Sequence, residues 1–389
     1  MTKAAPTKKI VERMPILVAT MAWEGGMGRF ASELTQVLAE GESVTLVAPK
    51  MDLEPQVSER IVISQPKREQ FFLIRIAVMI KMNFQISFNV WKKLHAHSTF
   101  LLIDLHPFIP FSFLPALIAS FKGAKVSLNL HDFYAHRMRY PYGFHWLEKS
   151  LRRWIYRRFD QIFAMTDVQV SRLSSEAKVA PSRITRIDHG PFVVEGILPP
   201  SANENATIML FGAVRANKRI KESLLAYKEL KAERVKLNLR VCVTPHREEG
   251  SYWHKCAEIL DGLPDVEVRV GFVPEEELPI ILSGVDGMLC PYHGFDSQSG
   301  VAALAMSNGI PVIGTPSSYA GNTGGVSAAW PMINAEARTK DIVEAVRGFL
   351  KVPREQRLET AREIKQNKGA AELWRDAASK ILGWHRTQS

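Results

Sequence analysis

Two cations in the second half of the chain stand where a predicted strand, Thr207–Phe211, turns into a predicted helix, Ile220–Glu233. Arg215 and Lys218 lie in the connecting segment GAVRANKR. An Arg guanidinium can hold a phosphate through two hydrogen bonds, and a Lys ammonium adds a mobile point charge. Cations at a helix N-terminus oppose the helix dipole, so their position indicates an anionic ligand. The pair suits a departing diphosphate, although a solvated helix start would look similar.

Residues 288–315 indicate a second place where a phosphate can bind. They read MLCPYHGFDSQSGVAALAMSNGIPVIGT, with apolar strands at Met288–Cys290 and Val312–Gly314 and a helix at Val301–Ser307. The polar turn before the helix would expose backbone N–H groups and the positive end of the helix dipole, which favour an anion. An ordinary strand–helix–strand crossover is the alternative interpretation.

A His-Asp pair, His131 and Asp132, directly follows the predicted strand Lys125–Leu130. Open parallel sheets bind their ligands beyond the carboxyl ends of the strands, so His131 stands at a position typical of a binding site. The alternative is that the pair only caps the element that follows.

A glycine cluster near the start of the chain lies between the predicted strand Ile16–Thr20 and the predicted helix Arg29–Ala39. It reads GGMG over residues 25–28. A dinucleotide site would also need a carboxylate after the next strand, to hold the ribose. That strand, Val44–Ala48, leads into Pro and Lys instead, which argues against NAD. A tight strand-to-helix turn remains an alternative reason for the glycines.

These motifs resemble those of glycosyltransferase family 4, whose members have the GT-B fold. The G-x-V-R-x-x-K element ends at Lys218, and the Ala-Met and Gly-x-Pro-Val-Ile elements of residues 305–313 are intact. Asp296 stands at the first acidic position of the family pattern. Leu304 stands at the second, where the family has a Glu, and a Leu side chain cannot hydrogen-bond a ribose hydroxyl.

The resemblance implies a role for each motif. Arg215 and Lys218 would neutralise the diphosphate of a nucleotide-sugar donor. His131 would contact the donor sugar or its phosphate, and Asp132 would hold the His131 imidazole in one tautomer. The donor-binding residues implied are Gly26, Gly28, Arg215, Lys218, Phe272, Val273, Asp296, Ser297, Gln298, Ser299, Gly300 and Val301. Because no Asp-x-Asp motif occurs, we expect no metal ion and no other cofactor.

The expected fold class is therefore α/β, as a GT-B arrangement of two Rossmann-like domains with parallel sheets facing across a cleft. We predict an N-terminal acceptor domain at 1–192, a polar linker at 193–206 and a C-terminal donor domain at 207–354. The resemblance implies that helices at 355–389 cross back to the N-terminal domain. The length of 389 residues suits two domains of ordinary size.

The net charge of +10 is unevenly distributed along the chain. Residues 1–190 contain 26 Lys or Arg and 16 Asp or Glu, whereas residues 191–389 contain 24 of each. A basic half attracts nucleic acid, an anionic membrane or an anionic substrate. No nucleic-acid-binding motif accompanies the charge, so we expect no nucleic-acid partner. The three cysteines form neither a disulfide framework nor a zinc site, which fits a reducing compartment.

Residues 67–94, KREQFFLIRIAVMIKMNFQISFNVWKKL, predict a helix with a basic arc and a wide apolar face rich in aromatic residues. That composition is typical of a helix lying in a membrane interface. An ordinary helix packed on its sheet is the alternative. The cations predicted to face the membrane or the acceptor are Arg75, Lys81, Lys92, Lys93, Arg152 and Arg153. We expect no signal peptide and no membrane-spanning segment.

The leading hypothesis is a glycosyltransferase that moves a sugar from a nucleotide-sugar donor to a lipid-linked or polysaccharide acceptor. It would act in the cytoplasm, peripheral to the inner face of the membrane, and the resemblance implies retention of the anomeric configuration. Two alternatives remain open: a nucleotide-sugar epimerase of the same fold, and a non-catalytic partner subunit, for which Leu304 is the best argument.

Overall fold

The computed structural model describes residues 15–67, 72–95, 98–105, 111–134, 142–201, 205–245, 249–294, 297–319, 332–366 and 368–388. The first half of the chain forms a seven-stranded parallel sheet in the order β3-β2-β1-β4-β5-β6-β7. Its elements are β1 (Ile16–Thr20), α1 (Gly25–Gly41), β2 (Val44–Ala48), β3 (Glu59–Val62), α2 (Phe72–Lys93), β4 (Thr99–Ile103), α3 (Leu114–Phe121), β5 (Lys125–Leu130), α4 (Tyr142–Tyr156), β6 (Gln161–Ala164), α5 (Asp167–Ser175) and β7 (Ile184–Arg186).

The second half forms a five-stranded parallel sheet in the order β10-β9-β8-β11-β12. Its elements are β8 (Ala206–Ala213), α6 (Ile220–Ala232), β9 (Leu237–Thr244), α7 (Gly250–Leu260), β10 (Val266–Val270), α8 (Leu278–Leu282), β11 (Gly287–Cys290), α9 (Gly300–Ser307), β12 (Val312–Gly314), α10 (Pro316–Tyr319), α11 (Thr339–Lys351), α12 (Arg354–Gln366) and α13 (Lys368–Arg386). The predicted α/β class with two parallel sheets is confirmed.

The N-terminal sheet is apolar on both faces, as expected for parallel strands covered by helices. Along β1, Ile16 and Val18 face α1, while Leu17 and Ala19 join the cluster that holds α2, α3, α4 and α5. This division follows from right-handed crossovers, because the chain first runs towards β3 and then returns across β1 towards β7. Helices α2, α3 and α4 therefore lie on the same face, opposite α1.

Most predicted strands agree with the structure to within two residues, and β1, β2, β5 and β12 have the predicted bounds. The predicted start of α1 is wrong. The helix begins at Gly25 rather than Arg29, so the glycine cluster forms its first turn instead of a loop before it. A Cβ on Gly28 would lie 2.5 Å from the carbonyl carbon of Trp23. Only glycine fits at this position, because the preceding turn packs directly against it. The sequence analysis did not predict β3, α3, α5, α7 or α11.

The last helix, α13, packs against α1 rather than against the C-terminal sheet. Its Trp374 indole donates a hydrogen bond to the Pro191 carbonyl at 3.0 Å, and Arg386 pairs with Glu42 at 2.7 Å. Phe30, Trp374, Ile381 and residues of α9 share one apolar cluster. That cluster therefore joins both domains. β7 ends at Arg186 and β8 begins at Ala206, so the predicted 193–206 linker falls between the sheets, and the exact domain boundaries stay a prediction.

Replacing Gly190 by Ala should destabilise the protein strongly. A Cβ at Gly190 would lie 2.0 Å from a ring carbon of Trp374, and overpacking of this kind costs about 1–3 kcal/mol or more. The matched control is Gly383→Ala in α13, where an added Cβ meets no atom within 4 Å and should stabilise the helix by about 0.5–1 kcal/mol. Denaturant unfolding of both variants measures the difference. Equal midpoints would contradict the packing of Trp374 on Gly190.

Candidate functional site

A cavity of about 420 Å³ lies between the two domains at the carboxyl ends of both sheets. Its N-terminal wall comes from residues 23–29 together with His131 and His189. Its C-terminal wall contains Phe211, Gly212, Arg215, Lys218, Thr244, Phe272, Val273, Glu275, Tyr292, Ser299, Gly300, Val301 and Leu304. A cleft beyond the strand ends of open parallel sheets is where such folds bind ligands.

The N-termini of α1 and α9 meet across this cavity. A Cβ built on Gly300 would lie 3.9 Å from the Cα of Gly26, so the two first turns approach each other almost backbone to backbone. Neither first turn contains an acidic residue. Ser299 caps α9 by accepting a hydrogen bond from the Ala302 N–H at 3.1 Å. Two positive helix ends with no acidic residue in either first turn favour a bound anion.

Arg215 and Lys218 both line this cavity. They lie in the turn between the end of β8 at Ala213 and the start of α6 at Ile220. Gly212 has a φ of +95°, and a Cβ there would lie 3.3 Å from the Lys218 Nζ. Gly212 thus permits the turn and leaves room for the Lys218 ammonium. The Lys218 Nζ lies 5.4 Å from the centre of the Tyr292 ring.

Burial lowers the pKa of Lys218 to about 8, and the neighbouring Arg215 charge adds to this effect. Both causes penalise the charged form of the ammonium. A bound diphosphate would have the opposite effect, because an anion stabilises the protonated form. The charge of Lys218 is therefore linked to ligand binding near neutral pH.

Arg29 is a third cation of the cavity, which the sequence analysis did not identify. Its guanidinium pairs with Glu275 of the C-terminal domain at 2.5 Å and donates a hydrogen bond to the Val193 carbonyl at 2.6 Å. It also lies 5.0 Å from the centre of the Phe192 ring. Arg29 lies within the first two turns of α1. A cation near a helix N-terminus opposes the helix dipole and indicates an anionic ligand, and this applies to Arg29 as it does to Arg215.

His131 is buried in the wall of the cavity, and its ring packs edge-on against Phe30 with 5.0 Å between centroids. Its carbonyl accepts a hydrogen bond from the Gln169 side chain at 2.6 Å, which fixes the backbone after β5. Asp132 does not line the cavity. It lies close to Asp104 and Arg152, and burial together with the Asp132 charge raises the pKa of Asp104 to about 7. The proposed role of Asp132 in orienting His131 stays a prediction.

His189 also lines the cavity, and its position was not predicted. Its Nδ1 lies 2.5 Å from the Gly190 carbonyl, so Nδ1 carries the proton and donates. Burial lowers the pKa of His189 to about 3, which keeps the ring neutral at pH 7. Its Nε2 is buried and has no hydrogen-bond partner within the described ranges. His189 is therefore equipped to accept a hydrogen bond and is a poor base.

The remaining predicted donor-binding residues divide into three groups. Phe272, Val273, Ser299, Gly300 and Val301 line the cavity together with Gly26 and Gly28. Ser297 and Gln298 are buried and lie behind the lining. Asp296 lies outside the described residues. Leu304 is in the lining, so an apolar side chain occupies the position of the family's Glu.

The predicted membrane-facing cations are only partly available to a membrane. Lys81 and Lys92 are exposed on α2, and Arg75 is half-buried there. Lys93 pairs with Glu59 at 2.5 Å. Arg152 is buried, and Arg153 donates a hydrogen bond to the Tyr134 hydroxyl at 3.1 Å and lies 3.5 Å from Glu176. Arg152 is therefore not exposed for such a contact, and Lys93 and Arg153 already have partners within the N-terminal domain.

No group of three or more His, Cys, Asp or Glu side chains among the described residues is arranged to hold a metal ion.

The sequence model of Glycosyltransferase Family 4 matches residues 24–190, which include the N-terminal wall of the cavity. The chain has the GT-B fold and resembles glycosyltransferase family 4. No curated protein sequence matches it.

Solved GT-B structures superpose on this chain over nearly its whole length. HepE from Anabaena in complex with UDP and glucose has a TM-score of 0.68 at 11% identity, over 96% of this chain and 100% of that one. Sucrose-phosphate synthase from Thermosynechococcus elongatus has a TM-score of 0.70 at 14% identity, over 96% of this chain and 99% of that one. WaaG, a glycosyltransferase involved in lipopolysaccharide biosynthesis, has a TM-score of 0.64 at 14% identity, over 95% of this chain and 100% of that one. At these identities the likeness establishes the fold alone.

If UDP binds in this cavity with its diphosphate near Lys218, the affinity should fall as the pH rises above 8. Lys218, with a pKa of about 8, loses its charge there, which predicts an affinity loss of about tenfold between pH 7 and pH 9. The charge of the terminal phosphate changes only near pH 6, well below this range. Lys218→Arg is the matched control, because an Arg stays protonated throughout. Isothermal titration calorimetry measures both proteins, and equal slopes would contradict the assignment.

Proposed function

We propose that this protein is a glycosyltransferase that moves a sugar from a nucleotide-sugar donor to an acceptor held at a membrane surface. The observation that carries the proposal is the meeting of two helix N-termini with Arg29, Arg215 and Lys218 around one interdomain cavity. The lining also contains Glu24, Asp52 and Glu275, and Glu275 pairs with Arg29. Among the described residues no carboxylate pairs with Arg215 or Lys218, so these two cations and the helix N-termini suit a diphosphate. A nucleotide-sugar carries a diphosphate at the bond that breaks in sugar transfer.

Such a site can promote transfer by stabilising the departing diphosphate. Negative charge grows on the leaving oxygen as the sugar–phosphate bond breaks, and preorganised cations and N–H groups stabilise that charge. In this proposal Arg215 and Lys218 supply the charge that a metal ion supplies elsewhere. His131 and His189 lie on the opposite wall, where the sugar and the incoming acceptor hydroxyl would be positioned. By resemblance to the family, the configuration at the anomeric carbon is retained.

Structures of similar fold support a nucleotide-sugar as the donor class. HepE from Anabaena has been solved with UDP and with UDP-glucose. UDP-GlcNAc 2-epimerase from Neisseria meningitidis, a GT-B neighbour with a lower TM-score of 0.57, is bound to UDP-GlcNAc. We infer a nucleotide-sugar donor for this chain. Leu304 removes one polar contact from the ribose region, so the ribose must be held by other groups.

The outer surface of α2 supports a membrane-held acceptor. Leu73, Phe84, Phe88 and Trp91 are exposed along the helix, while Met82, Ile86 and Val90 pack on the sheet. With 3.6 residues per turn, Lys81 and Lys92 fall along one edge of this apolar stripe. An exposed apolar stripe bordered by cations is the pattern of a helix lying in a membrane interface.

By length and composition alone, Leu73–Lys93 is also sufficient to cross a membrane, which departs from the expectation of no such segment. This indication is weak, because core helices of soluble proteins pass the same test. Here only 28% of the apolar window is buried, which is low for a core helix. The inner side of α2 packs on the N-terminal sheet. This packing favours a helix that lies on the membrane surface over one that crosses the membrane.

Arg215→Ala and Lys218→Ala should each lower turnover by about 10²-fold or more, because each removes charge that stabilises the departing diphosphate. The assay measures nucleotide release from UDP-glucose and other nucleotide sugars, with and without acceptor extracts. Acceptor-dependent release supports a transferase, and acceptor-independent sugar conversion would indicate an epimerase. Lys228→Ala, at an exposed position on α6, is the matched control. Full activity in the Arg215 and Lys218 variants would remove the donor-site assignment.

Binding to vesicles of anionic lipid should weaken when Lys81 and Lys92 are both changed to Glu. Each cation near an anionic surface contributes roughly 1 kcal/mol, so reversing two should lower binding by more than about tenfold. Binding of the unchanged protein should also decline with salt, which screens charges beyond about 10 Å at 0.1 M. Lys228→Glu with Lys255→Glu, exposed in the C-terminal domain, is the control. Negligible co-sedimentation with anionic and neutral vesicles alike would refute the membrane contact.

A further inference from the structure

A second cavity, of about 310 Å³, lies between α3 and α4 and shares no lining residue with the interdomain cavity. Its floor is apolar and includes Ala116, Leu117, Ile155 and Phe159. Arg157 and Arg158 stand in its lining and are exposed to solvent. An apolar floor with two cations at its edge matches a ligand that has an anionic and an apolar part.

Neither arginine has an ion-pair partner among the described residues. Within the described ranges, no carboxylate lies within salt-bridge distance of Arg157 or Arg158. The Arg158 guanidinium rests 4.5 Å from the centre of the Trp154 ring, and Arg157 Nε donates to the Arg153 carbonyl at 3.3 Å. The neighbouring Asp160 carboxylate already accepts the Val126 N–H at 2.9 Å.

The backbone that carries the two arginines is held in place. Arg183 donates a hydrogen bond to the Arg157 carbonyl at 3.0 Å and another to the Phe159 carbonyl. Both arginines are therefore presented from a braced turn after α4, which lowers the entropic cost of holding an anion.

Helix α3, which lines the cavity, packs against α2, the helix that carries the exposed apolar stripe. The Lys122 ammonium, at the end of α3, lies 5.1 Å from the centre of the Trp91 ring of α2. Phe121, beside it in the cavity lining, is 86% exposed. On the other side, Phe113 packs edge-on against Trp154 of α4 with 6.1 Å between centroids. α2, α3 and α4 contain seven Lys or Arg and one acidic residue, Glu148.

We propose that this cavity binds a single anionic phospholipid, with its phosphate on Arg157 and Arg158 and the first part of its acyl chains on the apolar floor. The inference rests on the membrane contact of the proposed function and adds a discrete lipid site to it. A free phosphate would leave the apolar floor and Phe121 without a partner, whereas a lipid uses both. The site is separate from the cavity proposed for sugar transfer. It would therefore determine which membrane surface the protein binds and would take no part in the reaction.

The test uses dihexanoyl phosphatidylglycerol below its micelle concentration, so that binding is measured without a bilayer. Calorimetry should show saturable 1:1 binding to the full-length protein, and dihexanoyl phosphatidylcholine and inorganic phosphate should bind at least tenfold more weakly. Arg157→Gln with Arg158→Gln should weaken phosphatidylglycerol binding by about tenfold or more, because two charge-assisted phosphate contacts are lost. Lys228→Gln with Lys255→Gln, on the C-terminal domain, should leave it unchanged.

A second variant tests the apolar floor independently of charge. Ser120 is an exposed lining residue, and Ser120→Trp should fill the cavity and weaken lipid binding while both arginines remain. UDP affinity and the unfolding midpoint report that the variants are folded. Unchanged lipid binding in either the double variant or Ser120→Trp would overturn the site, as would equal binding of inorganic phosphate.

Vesicle co-sedimentation separates this inference from the function on which it rests. Vesicle binding without 1:1 binding of the short-chain lipid would overturn the discrete site and leave the membrane contact standing. Short-chain lipid binding without vesicle binding would support the site and count against the membrane-bound acceptor.

Discussion

The close approach of Gly26 and Gly300 is the constraint on which the site depends. It brings the positive ends of two helices to the same cavity, and a side chain at Gly300 would enter the space between them. Helix ends of like sign repel each other, and Arg215 and Lys218 add to that repulsion. Burial lowers the pKa of Lys218, and the neighbouring Arg215 charge lowers it further. An anion relieves all of these penalties at once.

Apolar packing and a few polar contacts hold the two domains together despite this repulsion. One cluster runs from β1 and α1 through Phe192 and Trp374 to α9. The chain between the sheets is fastened to the end of α9, where Asn308 accepts the Val194 N–H and donates to the Phe192 carbonyl, both at 2.8 Å. The ion pair of Arg29 and Glu275 adds a contact directly across the cavity. Arg29 also lines the space in which an anion would bind.

The fold was predictable from sequence because buried parallel strands read as short apolar runs with glycines and turns between them. The same local reasoning found Arg215 and Lys218, whose turn lies within one strand–helix unit. It did not find Arg29 or His189, which join the site only when two domains meet. It also placed Arg152 on the surface, although Arg152 is buried beside Asp104, which is distant in sequence. Lys93 is on the surface, but its partner Glu59 is also distant in sequence and could not be predicted. Two polar residues of α2, Asn83 and Gln85, hydrogen-bond to loops of the N-terminal domain. Their side chains therefore do not belong to the exposed apolar stripe of that helix.

The packing of α13 on α1 has a consequence for synthesis on the ribosome. All seven strands of the first sheet emerge before the second domain is made, yet the part of α1 that packs against α13 stays uncovered until residues 368–386 leave the exit tunnel. Phe30 in particular lacks Trp374 as a neighbour for most of translation. An exposed apolar face on a nascent chain is prone to aggregation. The N-terminal domain therefore reaches its final stability only after the C-terminal domain has been synthesised, and a chaperone that shields α1 would act during that interval.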